Sequence, residues 1–244
     1  MFSLIFSGVL YAQNPDQVFD GANQRYQQGR FSEARDSYEL LLNNGYESGP
    51  LYYNLGNAYY KLGNIAHGIL HYERGLRLTP NDEDLKHNLQ LANLMTVDKI
   101  EAAPRLFVWD YWDGVKGMFS ASEILWVTYA AFVLVFVSLS VLVPFRSYTA
   151  RRLALFSTLA TSFIFLLVAV VCVNRIMDLS RTDYAIVTAE IIAIKNSPDP
   201  KSTDAFVLHG GVKVQITDRV SNWAKIRLVD GKIGWMEESA AEVI

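Results

Sequence analysis

Two long uncharged runs constrain the fold of this chain more than any other feature. Residues 124–143 form an unbroken run without a charged side chain, and residues 153–173 form a second one. About 20 apolar residues, each rising 1.5 Å along a helix, span the hydrocarbon core of a bilayer. The sequence therefore predicts two transmembrane helices, at 124–143 and 153–173.

The segment between the two runs sets the expected orientation. Residues 144–152 include Arg146, Arg151 and Arg152. Short loops rich in Arg and Lys stay on the cytoplasmic side of a membrane. We therefore expect a cytoplasmic loop at 144–152, with the chain before the first helix and after the second one outside the cytoplasm.

The segment 1–13 gives a second indication of export. Residues 2–12 are an apolar stretch too short to span a bilayer, and polar residues follow at once. This pattern is typical of a secretory signal, so residues 1–13 are predicted to be one. No Lys or Arg precedes the stretch, which leaves open a truncated signal. A loose apolar tail or an interfacial anchor is the alternative.

The region before the first apolar run is repetitive. When the sequence is shifted along itself so that position 23 falls on position 57, six pairs of identical residues align. They are Asn23 with Asn57, Tyr26 with Tyr60, Gly29 with Gly63, Tyr38 with Tyr72, Glu39 with Glu73, and Leu42 with Leu76. A 34-residue period made of two helices is typical of tetratricopeptide repeats. The second copy, 51–80, closely resembles that family. We predict an all-α array over 14–96, with two repeats and a capping helix that residues 81–84 begin.

The resemblance to tetratricopeptide arrays implies a binding site. Such arrays bind extended peptides or partner helices in a groove lined by the first helix of each pair. The implied groove residues are Phe19, Asn23, Tyr26, Tyr53, Asn57, Tyr60 and Lys61. Gln27, next to Tyr26 in sequence, is a further implied groove position. Asparagine side chains pair with a peptide backbone, and tyrosines add contact area. A groove filled by the protein's own linker, or left empty, is the alternative.

The chain after residue 184 changes to short runs of alternating character. Five short strands within 184–244 predict a small all-β barrel. The residues that resemble the bacterial Src-homology-3 domain are Phe206, His209, Gly211, Trp223, Lys225, Ile226, Gly234 and Trp235. Members of that family bind cell-wall peptides or protein segments, and some are only structural. Trp223 and Trp235 fit a core role as well as a ligand platform.

Two connecting segments complete the predicted organisation. Residues 97–123 are a linker whose aromatic residues favour the membrane–water interface, since Trp and Tyr prefer the headgroup level. An irregular aromatic linker is the alternative. Residues 174–183 connect the second apolar run to the β domain.

Residues that could carry chemistry are few. His67 and His71 have the spacing of a shared metal site, but they lack a third ligand, so we interpret both as surface histidines. The lone Cys172 excludes an intrachain disulfide. A net charge of −3 argues against nucleic acid as a partner. No catalytic constellation is recognisable, so we expect neither an enzyme nor a cofactor or metal.

The order of the parts resembles the BatE family of bacterial Bat (aerotolerance) operons over essentially the whole chain. The resemblance implies a protein of the bacterial cytoplasmic (inner) membrane with both soluble domains in the periplasm. It also implies partners among Bat membrane proteins with von Willebrand factor A domains, next to a MoxR-type ATPase. The expected function is a non-catalytic scaffold. The alternative is an envelope sensor that binds peptidoglycan or wall peptides through its β domain.

Overall fold

The computed structural model describes residues 14–101, 106–142, 147–180 and 183–244. The predicted signal at 1–13 and Arg146 lie outside these ranges. The N-terminal part is an array of five helices: α1 (Pro15–Gln27), α2 (Phe31–Asn43), α3 (Gly49–Lys61), α4 (Ile65–Leu78) and α5 (Glu83–Met95). This arrangement confirms the predicted tetratricopeptide-like array of two helix pairs and a further helix.

Local sequence signals set the ends of these helices. Gly29 and Gly63 have φ angles of 78° and 79°, the left-handed conformation that glycine adopts without strain after a helix. Asp82 caps α5, because its carboxylate accepts a hydrogen bond of 3.0 Å from the backbone N–H of Leu85. Asp82 lies within 81–84, the segment that the sequence predicted to begin the capping helix.

Small residues let the paired helices approach closely. A Cβ atom added to Gly56 on α3 would lie 2.5 Å from the Tyr72 ring and 3.2 Å from the Gly68 carbonyl oxygen on α4. Ala22 and Ala34 are fully buried at the matching contact between α1 and α2. Any side chain at Gly56, and one larger than alanine at Ala22 or Ala34, would separate the helices.

Three helices follow the array: α6 (Phe107–Gly117), α7 (Ala121–Val141) and α8 (Tyr148–Ser180). The last two are long and apolar enough to cross a membrane, and only 6% and 11% of the residues in their most apolar stretches are buried. An apolar core helix of a soluble protein would be mostly buried. Helix α8 begins at Tyr148, so Arg151 and Arg152 lie in its first turns and not in the loop before it.

Helices α7 and α8 pack against each other as an antiparallel hairpin. The side-chain oxygens of Ser138 and Thr161 are 2.9 Å apart, and the ring centroids of Phe132 and Phe165 are 5.8 Å apart. Small hydroxyl side chains allow close packing of apolar helices and hydrogen-bond across them. Helix α6 is joined to α8 by an ion pair of 2.5 Å between Lys116 and Asp178.

The C-terminal part is one antiparallel sheet in the order β3-β2-β6-β5-β4-β1-β7. Its strands are β1 (Tyr184–Val187), β2 (Ile191–Lys195), β3 (Asp204–His209), β4 (Lys213–Val220), β5 (Trp223–Arg227), β6 (Ile233–Glu237) and β7 (Ala241–Val243). The prediction of five strands was wrong, since the run 184–195 is two strands and β7 was missed. The sheet is consistent with an SH3-like domain.

The sheet is docked on the array. Ile186 on β1 and Ile244 after β7 belong to the same buried cluster as Ile69 and Leu70 on α4. A Cβ atom added to Gly210, in the turn after β3, would lie 3.2 Å from Cβ of Ala66 on α4. The two soluble parts therefore share a hydrophobic core, although two long apolar helices separate them in sequence.

Candidate functional site

A hydrogen-bonded triad links three consecutive helices at the centre of the array. Asn57 on α3 accepts two hydrogen bonds at Oδ1, one from the Tyr72 hydroxyl on α4 at 2.6 Å and one from Nδ2 of Asn88 on α5 at 2.7 Å. The tyrosine lies in the buried cluster of α4, whereas both asparagines are half-buried. The triad therefore sets the position of Asn57 from two sides.

The same triad occurs one repeat earlier. Asn23 on α1 accepts at Oδ1 from the Tyr38 hydroxyl at 2.7 Å and from Nδ2 of Asn54 at 2.9 Å. Burial raises the pKa of Tyr38 to about 12. The Tyr38 hydroxyl therefore stays protonated, and stays a donor, at any physiological pH.

The triad leaves polar atoms that can bind a partner. An asparagine side chain carries one acceptor oxygen and a donor NH₂ group. Asn57 uses its oxygen within the array and has no partner for Nδ2 among the described residues, while Asn88 uses its Nδ2 and has none for its oxygen. One donor on Asn57 and one acceptor on Asn88 thus remain on two side chains that hydrogen-bond each other, and a peptide unit requires one of each.

These atoms border a cavity of about 270 Å³ on the groove side of the array. Its lining residues are Tyr26, Tyr53, Asn57, Tyr60, Lys61, Tyr72, Asn88 and Leu91. Five of the seven implied groove residues are among them. Of the other two, Asn23 lies in the first triad, and Phe19 packs on Tyr38 with their ring centroids 5.9 Å apart.

Sequence reasoning missed four members of the two triads as part of the site, namely Tyr38, Tyr72, Asn54 and Asn88. The two tyrosines occupy equivalent positions of the two copies, which indicated the repeat and nothing about the groove. Applying the same offset once more, into the capping helix, aligns Asn54 with Asn88. The signal was therefore present, but its meaning depends on which atoms face one another.

A larger cavity, of about 760 Å³, lies on another face of the array, beneath strand β7. It is lined by Glu39, Leu42, Asn43, Glu47, Tyr52, Tyr59, His67, His71, Arg74, Arg77, Leu78, Glu242, Val243 and Ile244. The interpretation of His71 as a surface histidine was wrong, because it is only 5% exposed. His67 is partly exposed and lies 3.5 Å from a carboxylate oxygen of Glu242.

Four rings form a column along this cavity. In order they are Tyr52, His71, Tyr59 and His67, with neighbouring centroids 6.0, 5.3 and 5.0 Å apart and nearly parallel planes. Burial lowers the pKa of His71 to about 3, so this ring is uncharged at neutral pH. A hydrogen bond from His67 is the largest cause of the lowered pKa of Glu242.

The two tryptophans of the β domain differ in burial. Trp223 is 6% exposed and belongs to the buried interior. Trp235 is half-buried, and Nζ of Lys225 lies 5.7 Å from its ring centroid. Trp235 pairs across the strands with both Lys195 and Lys225. Of the two rings, Trp235 is therefore the one that a ligand could reach.

Comparison with known families agrees with this architecture in two places. Residues 49–82, which include α3 and α4, match the tetratricopeptide repeat, and residues 192–242 match the bacterial SH3 domain. No curated protein matches the chain. Tetratricopeptide repeats suggest protein–protein interaction and bacterial SH3 domains suggest cell-wall binding, so both matched parts are similar to binding modules.

Proposed function

We propose that this chain is a non-catalytic scaffold of the bacterial envelope. In this proposal α7 and α8 anchor it in the cytoplasmic membrane, and the array binds an extended segment of a partner protein. The observation that carries the proposal is the unused donor of Asn57 beside the unused acceptor of Asn88, at the edge of a cavity walled by tyrosines.

The chemistry of this cavity suits a peptide backbone. The two asparagine atoms match the C=O and N–H of one peptide unit, which gives affinity without demanding a particular sequence. Tyr53 and Tyr60 add broad contact area with little loss of rotamer freedom. Among the described residues of the lining, Lys61 alone is charged, so an acidic side chain at one end of the segment would be favoured.

Both soluble parts belong on one side of the membrane in this proposal. The array and the β domain share a buried cluster, which requires them to lie in the same compartment. The two apolar helices between them return the chain to the side from which it started. Arg151 and Arg152 lie at the opposite end of the hairpin, which favours a cytoplasmic tip and periplasmic soluble domains.

The resemblance to the BatE family extends the proposal to its partners. It implies that the segment bound in the groove belongs to a von Willebrand factor A-type Bat membrane protein, within an envelope stress or aerotolerance complex. A scaffold that is itself held at the membrane suits a partner held in the same membrane, since the shared anchor raises the effective concentration of both.

The first experiment isolates the donor atom of Asn57. In Asn57→Asp the oxygen that accepts from Tyr72 and Asn88 remains, but the donor is replaced by a second acceptor. We expect capture of co-expressed Bat membrane proteins to fall about tenfold. Asn44→Asp, on an exposed residue at the end of α2, is the matched control and should leave capture unchanged.

A triple variant tests the whole groove. Tyr53→Ala, Tyr60→Ala and Lys61→Ala together should abolish capture while membrane insertion persists. The control is the combination Asn44→Ala, Tyr46→Ala and Lys86→Ala, whose residues are polar or aromatic and exposed elsewhere on the array. Full capture by the groove triple variant would refute the assignment of this groove.

The β domain supports a second candidate function, binding of peptidoglycan or wall peptides in an envelope sensor. Its support is the match of residues 192–242 to the bacterial SH3 domain and the accessible Trp235 beside Lys225. Retention of the full chain on purified peptidoglycan, lost in Trp235→Ala but not in Tyr46→Ala, would establish this function. If the chain is not retained, wall binding is rejected and the scaffold remains as the proposed function.

A further inference from the structure

The cavity of about 760 Å³ lies where the β domain docks on the array. Helices α2, α3 and α4 and the loop after α2 form its floor, and residues 242–244 form its roof. Arg74 holds the roof in place by donating to the Val243 carbonyl oxygen from Nη2 at 2.6 Å and from Nε at 3.2 Å. Cavities of this size at domain junctions are the usual places for small-ligand sites.

One wall of the cavity contains a buried polar group with an unmet hydrogen bond. The His71 side chain is buried, and its Nδ1 atom has no partner among the described residues. A buried polar atom without a hydrogen-bond partner is uncommon in folded proteins. The atom is buried away from the cavity surface, so His71 contributes its ring to the wall of the site.

Charges of both signs face the cavity from different elements. Glu39 on α2 and Glu47 in the loop after it supply carboxylates. Within the described chain Glu47 has no ion pair, and Glu39 accepts a hydrogen bond from the Tyr59 hydroxyl. On the other side, Arg74 leaves its Nη1 atom without a partner among those residues.

This distribution favours a ligand that carries both charges. Glu242 is already paired with Arg74 at 3.5 Å, so a purely anionic ligand would face Glu39 and Glu47, and a purely cationic one would leave Nη1 of Arg74 unpaired. Like charges held together in a partly enclosed site repel each other. A molecule with an ammonium group at one end and a carboxylate at the other satisfies both sets of side chains.

We propose that this interdomain cavity binds a small zwitterion of the amino-acid or short-peptide class. Its ammonium group lies between Glu39 and Glu47, its carboxylate meets Arg74, and its body lies along the ring column. Such a ligand contacts both the array and the β domain, so its binding strengthens their docking. This site is separate from the groove and does not depend on the scaffold proposal.

The test is calorimetric titration of the full chain in detergent micelles with free amino acids and a panel of Ala-X dipeptides. At least one zwitterion should bind. Its N-acetyl form and its C-terminal amide should each bind about tenfold more weakly, because each removes one of the two charges. The proposal would be overturned if no amino acid or dipeptide of the panel bound. It would also be overturned if the capped forms bound as tightly as the free zwitterion.

Two variants locate the site. Glu47→Gln should weaken binding of the free dipeptide about tenfold, whereas Glu83→Gln, which changes an exposed carboxylate on α5, should not. Equal affinities of these two variants would also overturn the proposal. The groove triple variant should bind the dipeptide normally, so loss of partner capture and loss of the zwitterion are distinguishable outcomes.

Discussion

The Tyr72 hydroxyl donates a hydrogen bond of 2.6 Å to Oδ1 of Asn57, and one repeat earlier Tyr38 donates to Asn23 at 2.7 Å. The repeat of the sequence is thus also a repeat of one interaction. In each copy a buried tyrosine on the second helix orients an asparagine on the first. The groove atoms are positioned by the residues that hold the array together.

Removal of one hydroxyl tests this coupling. Tyr72→Phe should lower the free energy of unfolding by about 1 kcal/mol, since the ring remains packed and only the hydrogen bond is lost. Tyr38→Phe should cost a similar amount, and the double variant should show the sum because the triads are separate. Chemical unfolding of the full chain in detergent measures these costs. No change in either variant would contradict the hydrogen bonds.

Gly56 tests the close approach of α3 and α4. Gly56→Leu should destabilise the protein by roughly 1–3 kcal/mol or more, because its Cβ alone would overlap the Tyr72 ring. Gly114→Leu on α6 is the control, since a Cβ there meets nothing within 4 Å. Equal thermal midpoints of the two variants would mean that the contact is wrong.

The buried His71 makes stability depend on pH. Its pKa is about 3 in the folded chain and 6.5 when unfolded, so the unfolded chain binds more protons between these values. Above pH 6.5 the neutral His71 costs the folded chain no stability relative to the unfolded chain. As pH falls from 6.5 towards 3, the free energy of unfolding falls, because only the unfolded chain takes up the proton. Between pH 6.5 and 5 the loss should be roughly 1–2 kcal/mol.

A variant separates the titration of His71 from the titration of other ionisable groups. His71→Phe keeps a flat ring in the column but cannot take up a proton, so its stability should fall less between pH 6.5 and 5. Glu242, whose pKa is lowered, loses its contribution only at lower pH as it becomes protonated. If the free energy of unfolding falls equally in the two proteins between pH 6.5 and 5, His71 is not buried in its neutral form.

The docked turn after β3 offers a test of the shared core. Gly210→Val should separate the β domain from α4, because a Cβ there meets Ala66 at 3.2 Å and the Ala189 carbonyl oxygen at 3.1 Å. Amide exchange at residues 66–70 should accelerate in this variant and remain slow in Gly114→Val. Unchanged protection of α4 would mean that the two parts do not depend on this contact.

Membrane sidedness is tested by reporter fusions. Alkaline phosphatase, which is active only after export, should be active when fused after Ile244 and inactive when fused at Ser147. The reason is the Arg-rich end of the hairpin, which favours the cytoplasm. The reverse activities would reject the periplasmic placement of the soluble domains.

The sequence alone was sufficient for the elements whose cause is local. The length of the two uncharged apolar runs predicted α7 and α8. The repeat period, with Gly29 and Gly63 at equivalent positions, predicted the helix pairs. These patterns depend on residues close in sequence, so they can be read without a fold. Strand counting was less successful, because the break between β1 and β2 and the short β7 depend on pairing with β4 and β1.

The tertiary structure decided which atoms meet. Periodicity identified Asn57 and Tyr72 but not that one donates to the other, since the two lie on different helices. It also gave no sign that His71 is buried, because the rings that stack on it, Tyr52 and Tyr59, lie on a different helix. Contacts over such separations are set by the packing of the shared core, which no local pattern records.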